Sequence, residues 1–139
     1  MKIGYTTGVY DLFHVGHVQL LRRARALCDR LIVGVTVDEL VLYKGKRAVI
    51  PFEERIQVVQ ACEYVDVAVP QTTIDKLEAV TKFKADYLFV GDDWYGSDSW
   101  ITMEEELADL RCKVIYFPYH KGTSSTLINE VLLDLRGGS

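Results

Sequence analysis

Cysteine is scarce and placed for none of its paired uses: Cys28, Cys62 and Cys112 are odd in number and widely spaced, with no CxxC among them. That spacing argues against a zinc or redox motif and predicts three buried thiols. Long apolar runs are missing as well. Nothing approaches the roughly 18 residues that span a bilayer, and the opening MKIGYTTG has no charged stretch leading into an apolar one. Neither a membrane span nor a secretory leader is expected, and a reducing cytoplasm is the expected compartment. Excess positive charge is the third absence. The formal net charge is −4, whereas nucleic-acid binders collect Lys and Arg against many phosphates. No nucleic-acid partner is expected, and an anionic ligand would need a local basic site. What remains, 49% hydrophobic and 26% charged residues over 139 positions, suits one ordinary globular domain. Its expected extent is residues 1–135, with a flexible tail at 136–139.

Apolar, β-rich runs recur as KIGYT, RLIVGVT, VDVAVP, DYLFVG and KVIYFP, each followed by a segment of helical spacing. Helices are predicted from about Val15 to Cys28, over PFEERIQVVQACEYV with Pro51 as first residue, and from a Thr73 cap to about Phe83. Two more are predicted from Trp100 to Leu110 and after a Ser124 or Ser125 cap. Val15, Val18, Leu21 and Leu27 mark the apolar face of the first helix; Ile56, Val59 and Cys62 should face the sheet from the second. Strict alternation of apolar strands with helices predicts one doubly wound, five-stranded parallel sheet covered on both faces. In such a sheet the ligand crevice lies beyond the carboxyl ends of the strands, where the winding reverses. The longest irregular stretch, about Asp38 to Ile50, gathers Lys44, Lys46 and Arg47. A long basic loop in a compact domain points to function.

Residues 6–17 read TTGVYDLFHVGH, where the first strand gives way to the first helix. His14 and His17, three apart on a first helical turn, project from one side of it, beside backbone N–H groups that have no intrahelical partner. The helix end favours a negative group by about 0.3 to 1 kcal/mol, and each imidazole adds a donor, so the corner is an anion site in the making. Gly8 would let backbone approach a phosphate, and Gly16 would keep the space between the rings clear. HxxH could also supply two legs of a metal site. Only three histidines exist, however, and no acid lies at the usual helical ligand spacing beside these two, so no protein-held metal is expected. Taken alone, the pair leaves structural and functional readings open. The TSST run at Thr123 to Thr126 offers hydroxyls and N–H groups suited to phosphates, and equally an ordinary cap.

These pieces together resemble the nucleotidyltransferase superfamily whose fingerprint is HxGH after the first strand. Within it they resemble the cytidylyltransferase branch, closest to the glycerol-3-phosphate cytidylyltransferases. The matching residues are GVYDLFHVGH at Gly8 to His17, VDE at Val37 to Glu39 with KGK at Lys44 to Lys46, and EER at Glu53 to Arg55. YVD at Tyr64 to Asp66, GDDW at Gly91 to Trp94 and GTSST at Gly122 to Thr126 complete the set. The resemblance implies a Rossmann-like nucleotidyltransferase fold and transfer of CMP from CTP to a small phosphorylated alcohol, with pyrophosphate released. It implies His14 and His17 as donors to charge building on the phosphorus oxygens, and Lys44 and Lys46 as cations serving both catalysis and substrate binding. Nucleotide contacts are implied for Thr7, Gly8, Val9, Gly16, Arg55, Gly91, Asp92, Asp93, Trp94, Thr123, Ser124, Ser125 and Thr126. Substrate contacts are implied for Asp11 and Asp38, with Asp11 also organising its loop. Further implications are Mg2+ carried with the triphosphate, a homodimer, and a place in cell-envelope precursor synthesis.

Two positions depart from that branch. An arginine usually precedes YVD and another opens the loop before the last helix; here those places hold Glu63 and Tyr119, the latter followed by His120 and Lys121. Arginines that clamp phosphates are not freely exchanged, so the acceptor stays open. Glu63 and SST also resemble adenylyltransferases acting on sugar 1-phosphates. Two alternatives therefore stand beside the leading one: an ATP-dependent adenylyltransferase acting on a sugar phosphate or flavin precursor, and a silent nucleotide-binding module.

Overall fold

Alternation of strand and helix runs through the computed structural model, which describes residues 1–91 and 98–117. The strands are β1 (Ile3–Gly8), β2 (Arg30–Thr36), β3 (Val67–Gln71), β4 (Tyr87–Gly91) and β5 (Lys113–Phe117). Between them lie α1 (Val15–Ala26), α2 (Asp38–Tyr43), α3 (Phe52–Ala61), α4 (Lys76–Phe83) and α5 (Asp98–Asp109). All strands pair in parallel in the order β3-β2-β1-β4-β5, which is the doubly wound sheet the sequence predicts, with the winding reversing between β1 and β4.

Side chains alternate across the sheet and build two cores. Leu31, Val33, Val35 and Phe89 pack on one face with Leu21 and Ala24 of α1 and Val59 of α3. Tyr5, Ile32 and Leu88 pack on the other with Val80 of α4 and Trp100 and Leu107 of α5. A strand buried on both faces has no polar side to spend on solvent, which is why β2 reads RLIVGVT with six of its seven residues buried. The amino edge of the sheet is finished by aspartates. Asp29, Asp66 and Asp86, each just before a strand, accept from the backbone N–H of Lys2, Leu31 and Ile3, in or just before a neighbouring strand. Arg25 also pairs with Asp66 at 2.9 Å.

Several predicted boundaries move. The stretch from Asp38 to Ile50 is not irregular throughout, because α2 occupies its first half. Pro51 is the N-cap of α3 rather than its first residue, and α3 stops at Ala61, where Cys62 turns extended. Asp75, not Thr73, caps α4: its carboxylate accepts from Leu77 N and Glu78 N, while the Thr73 hydroxyl accepts from Asp75 N. Val15 and Leu27 lie exposed at the two ends of α1, because the sheet covers only the middle of that helix. Of the three thiols, Cys28 and Cys112 are buried, whereas Cys62 is half-buried at the end of α3.

At Gly4 the strand passes so close to its neighbours that a Cβ would stand 2.5 Å from Phe89 Cε2 and 2.9 Å from Cys28 Sγ. Both partners are buried, so neither can swing away. Gly4→Ala should cost about 1 to 3 kcal/mol of unfolding free energy, read as a lower urea midpoint at unchanged m value.

Candidate active site

The corner between β1 and α1 carries a helix cap made of two imidazoles. His14 is the N-cap residue, and its Nδ1 accepts from Gly16 N at 3.0 Å. His17, three residues on, accepts through its own Nδ1 from His14 N at 3.2 Å. This is the reciprocal geometry of a capping box, with histidines in the places that Ser and Glu usually hold. Two donors that the helix start leaves orphaned are thereby satisfied. The ring centroids stand 4.0 Å apart, and His17 is stacked on Phe13 and met edge-on by Tyr10.

The cap decides the tautomer. A ring nitrogen that accepts from a backbone N–H carries no proton, so each neutral imidazole holds its proton on Nε2, at the opposite side of the ring. Burial is the main reason His17 stays neutral, with its pKa lowered from 6.5 to about 4; the neighbouring His14 lowers it further and Asp11 acts the other way. At neutral pH the His17 ring is therefore a dipolar donor.

The loop between them and β1 is held against its own backbone preference. Tyr10 and Leu12 adopt φ of 55° and 51°, a left-handed conformation that costs an L-residue about 1 to 3 kcal/mol. Three contacts hold it there. The Tyr10 ring is buried, and the missing side chain of Gly8 makes room for it, since a Cβ there would stand 2.9 Å from Tyr10 Cε2. Asp11, also buried, accepts from Val49 N through Oδ2 at 2.8 Å and from Ile50 N through Oδ1 at 2.9 Å. The Val9 carbonyl accepts from Arg55 Nη1 at 2.7 Å.

Arg55 corrects one expectation. The family resemblance implies a nucleotide contact for it, but its side chain is only 1% exposed and four of its N–H groups go to protein. Nε donates to Ile50 O at 2.8 Å, Nη1 to Val9 O and Thr36 O at 2.7 Å each, and Nη2 to Asp38 Oδ1 at 2.6 Å. A buried guanidinium must be paired, and here the ends of β1 and β2, Asp38 at the start of α2 and Ile50 before α3 supply the partners. Asp38 and Asp11, read as substrate contacts, are likewise engaged with protein; the second Asp38 oxygen accepts from Phe52 N at 3.1 Å. That bond, with Arg55 beside it, holds the Asp38 carboxyl below its ordinary pKa.

Beyond the carboxyl ends of the strands opens a cavity of about 440 Å³. Thr7, Gly8 and Val9 line it from β1, Thr36 from β2 and Gln71 from β3; Lys44, Ile74, Lys76, Trp100 and Met103 close its sides. Lys44 and Lys46 flank Gly45, whose φ of +77° ends α2 in a Schellman motif: Gly45 N bonds Leu42 O and Lys46 N bonds Val41 O. KGK is thus a helix C-cap as well as a basic pair. Lys76 went unnoticed in the sequence. It opens α4 just past the end of β3, and its Nζ donates to Thr7 Oγ1 at 2.7 Å. Burial and then the charge of Lys44 lower its pKa to about 8. No acidic residue lies among the described residues lining this cavity. Two lysines that repel one another there make a local cationic site in a chain of net charge −4. Gln71, also overlooked, is buried with Oε1 2.6 Å from the Thr36 hydroxyl.

The structure therefore brings together Thr7, Gly8, Val9, His14, Gly16, His17 and Lys44 at one edge of the sheet, with Gly91 at the end of β4 on the same edge. Lys46 is exposed on the same turn as Lys44. Asp92, Asp93, Trp94, Thr123, Ser124, Ser125 and Thr126, like Tyr119, His120 and Lys121, lie outside the described residues. Glu63 is exposed near the amino edge, across the sheet from the cavity within this chain. Among the described residues, no group of three or more His, Cys, Asp or Glu is placed to hold a metal ion, and no helix is long and apolar enough to cross a membrane.

The profile of the cytidylyltransferase-like family matches residues 5–131. A glycerol-3-phosphate cytidylyltransferase of Staphylococcus aureus is 37% identical over 133 residues, covering 95% of this chain and 96% of the relative. An FAD synthase of Archaeoglobus fulgidus is 34% identical over 135 residues, covering 95% and 98%. Among solved structures, a lipopolysaccharide core biosynthesis protein from Thermoplasma volcanium superposes with a TM-score of 0.73 at 24% identity, over 88% of this chain and 99% of the other. That likeness is one of fold.

Because folding depresses the pKa of His17, the unfolded chain binds its proton more readily, and stability should fall as pH drops from about 6.5 toward 4. Urea midpoints taken across that window should decline in the wild type and decline less in His17→Gln. An equally steep decline in both would assign the acid sensitivity to other groups.

Proposed function

This chain belongs to the cytidylyltransferase-like family, and we propose that it transfers CMP from CTP to a small phosphorylated alcohol such as glycerol 3-phosphate. An oxygen of the acceptor phosphate attacks the α-phosphorus of the triphosphate; the bond from that phosphorus to the β-phosphate oxygen breaks, and pyrophosphate leaves from the opposite side. The product is a CDP-alcohol, and no covalent enzyme intermediate is formed. What supports this reading most is the reciprocal cap of His14 and His17, which ties up both Nδ1 atoms and leaves Nε2–H as the donor on each ring. Charge grows on the phosphorus oxygens in the transition state, and one preorganised donor there is worth about 3 to 4 kcal/mol. A neutral ring such as that of His17 suits that task, since it needs no proton exchange during the reaction.

Lys44, Lys46 and Lys76 are assigned to the phosphates, offsetting the repulsion between two polyanions brought together. Mg2+ belongs in this reading to the triphosphate, whose charge it partly neutralises. Asp11 does not fit as its ligand, because both carboxylate oxygens accept backbone N–H groups. Asp92, Asp93, Trp94 and Thr123 to Thr126 are assigned to the nucleotide on the family resemblance, and the homodimer, the cytoplasmic setting and the role in envelope precursors are read on the same ground.

A second reading, ATP-dependent transfer to a flavin nucleotide, is favoured by the FAD synthase relative and by Trp100 and Met103 on the cavity wall, where a planar ring could lie. Pyrophosphate release, assayed with CTP and ATP against glycerol 3-phosphate, choline phosphate, sugar 1-phosphates and FMN, separates the readings. Turnover is expected only with CTP and a phosphorylated alcohol. Turnover with ATP and FMN alone would move the assignment to the second reading, and nucleotide binding without release in any combination would leave a binding module. In the active combination, His14→Ala and His17→Ala should each lower kcat by about a hundredfold or more while changing the Kd for CTP far less.

A further inference from the structure

We infer that Asp11 and Asp38 are positioning residues for Lys44 and Lys46: with Arg55 they clamp both ends of the segment that carries the two lysines, and they act through it without touching substrate. The inference rests on the transfer reaction proposed above and adds how its cations are placed.

Residues 38–50 form a short arm. At its start, Asp38 is held by Arg55 Nη2 at 2.6 Å and by Phe52 N at 3.1 Å. At its end, Val49 N and Ile50 N are held by Asp11, and Ile50 O by Arg55 Nε. Arg55 in turn grips Val9 O and Thr36 O, the carboxyl ends of β1 and β2. One guanidinium therefore refers both ends of the arm to the strands that floor the cavity. Between the clamps the arm is exposed from Leu42 to Arg47, with Leu42 at 60% and Tyr43 at 78%, and only Val41 plugs into the protein at 2%.

Such an arm needs its anchors. Each residue left free to move before binding must be ordered on binding, at about 1 to 2 kcal/mol for its backbone alone. The Schellman motif fixes the turn at Gly45 but says nothing about where that turn points. The clamps decide it.

The charges agree with this assignment. A bare carboxylate beside a phosphate-binding lysine would repel the substrate. The charge of Asp38 is matched by Arg55, and that of Asp11 is directed at two backbone N–H groups. Both acids can therefore stand near a polyanion site and still serve it.

A double-mutant cycle tests the arm. In the otherwise wild-type protein, Asp38→Asn should raise the KM for the phosphorylated acceptor about tenfold with a smaller change in kcat. In a Lys44→Ala, Lys46→Ala background the same substitution should add less than about twofold, because the groups it positions are gone. An equal change in both backgrounds would mean direct substrate contact or a general loss of structure, and would overturn the inference; so would no change in either. Amide hydrogen exchange supplies a readout that needs no turnover. Asp38→Asn and Asp11→Asn should each speed exchange at Val49, Ile50 and Phe52 while leaving β1 and β2 protected. Unchanged exchange at those three amides, or faster exchange throughout, would likewise overturn it. Should the wild-type protein release no pyrophosphate with any substrate pair, the proposed reaction falls, and the exchange data still decide whether the clamp holds the arm.

Discussion

The Arg55 guanidinium is the contact on which the site depends. A buried cation is costly unless every side of it is answered, and removing one partner of such a pair costs about 3 to 5 kcal/mol. Here four N–H groups are met by three carbonyls and one carboxylate, drawn from the ends of β1 and β2 and from both ends of the lysine arm. The same contacts that offset the burial of the charge fix four chain segments relative to one another. Fold and site geometry therefore share one interaction, because the strand carbonyls that satisfy the arginine belong to the loops that shape the cavity.

Around that hub the labour is divided by atom rather than by residue. In each imidazole of the corner, Nδ1 serves the helix and Nε2–H remains the donor side. In Asp11 and Asp38, the oxygens serve backbone and guanidinium. Among the described residues lining the cavity the lysines are the charged ones, and burial, then the charge of Lys44, lowers the pKa of Lys76. Such an arrangement suits the proposed transfer of a nucleotidyl group between phosphates, in which cations would assemble the reactants and ring N–H donors would meet the charge that develops on the phosphorus oxygens. The left-handed backbone at Tyr10 and Leu12 fits this picture, since conformational cost concentrates where a loop is held for function.

Much of this was legible in the sequence. Five apolar runs separated by helical spacing led to the doubly wound sheet, and the HVGH corner marked a strand-to-helix junction, which leaves donors that only nearby side chains or a ligand can meet. Other parts misled for identifiable reasons. KGK read as a basic loop, although the glycine between the lysines also ends a helix. Arg55 read as a phosphate ligand because an arginine's type and position look alike whether it is buried or exposed. Lys76 gave no local signal at all, standing in a helix with other lysines and distinguished only by what lies opposite it. Glu63 departs from the family pattern at a place that, within the chain, lies near the other edge of the sheet.

Sequence by itself determined what local spacing and composition can determine: the alternation of elements, the two faces of each strand, the histidine pair on a first helical turn, and a net negative charge. Periodicity of side chains is a property of the chain and needs no fold to read it. Tertiary structure decided which charges are spent and which are available. Apart from Ile50, five residues from Arg55, the partners of Arg55, Asp11 and Asp38 lie 14 to 46 residues away, and Lys76 meets Thr7 across 69. Whether a charged group faces protein or ligand depends on those distant neighbours, and burial, which sets the energy of the choice, exists only once the sheet has brought them together.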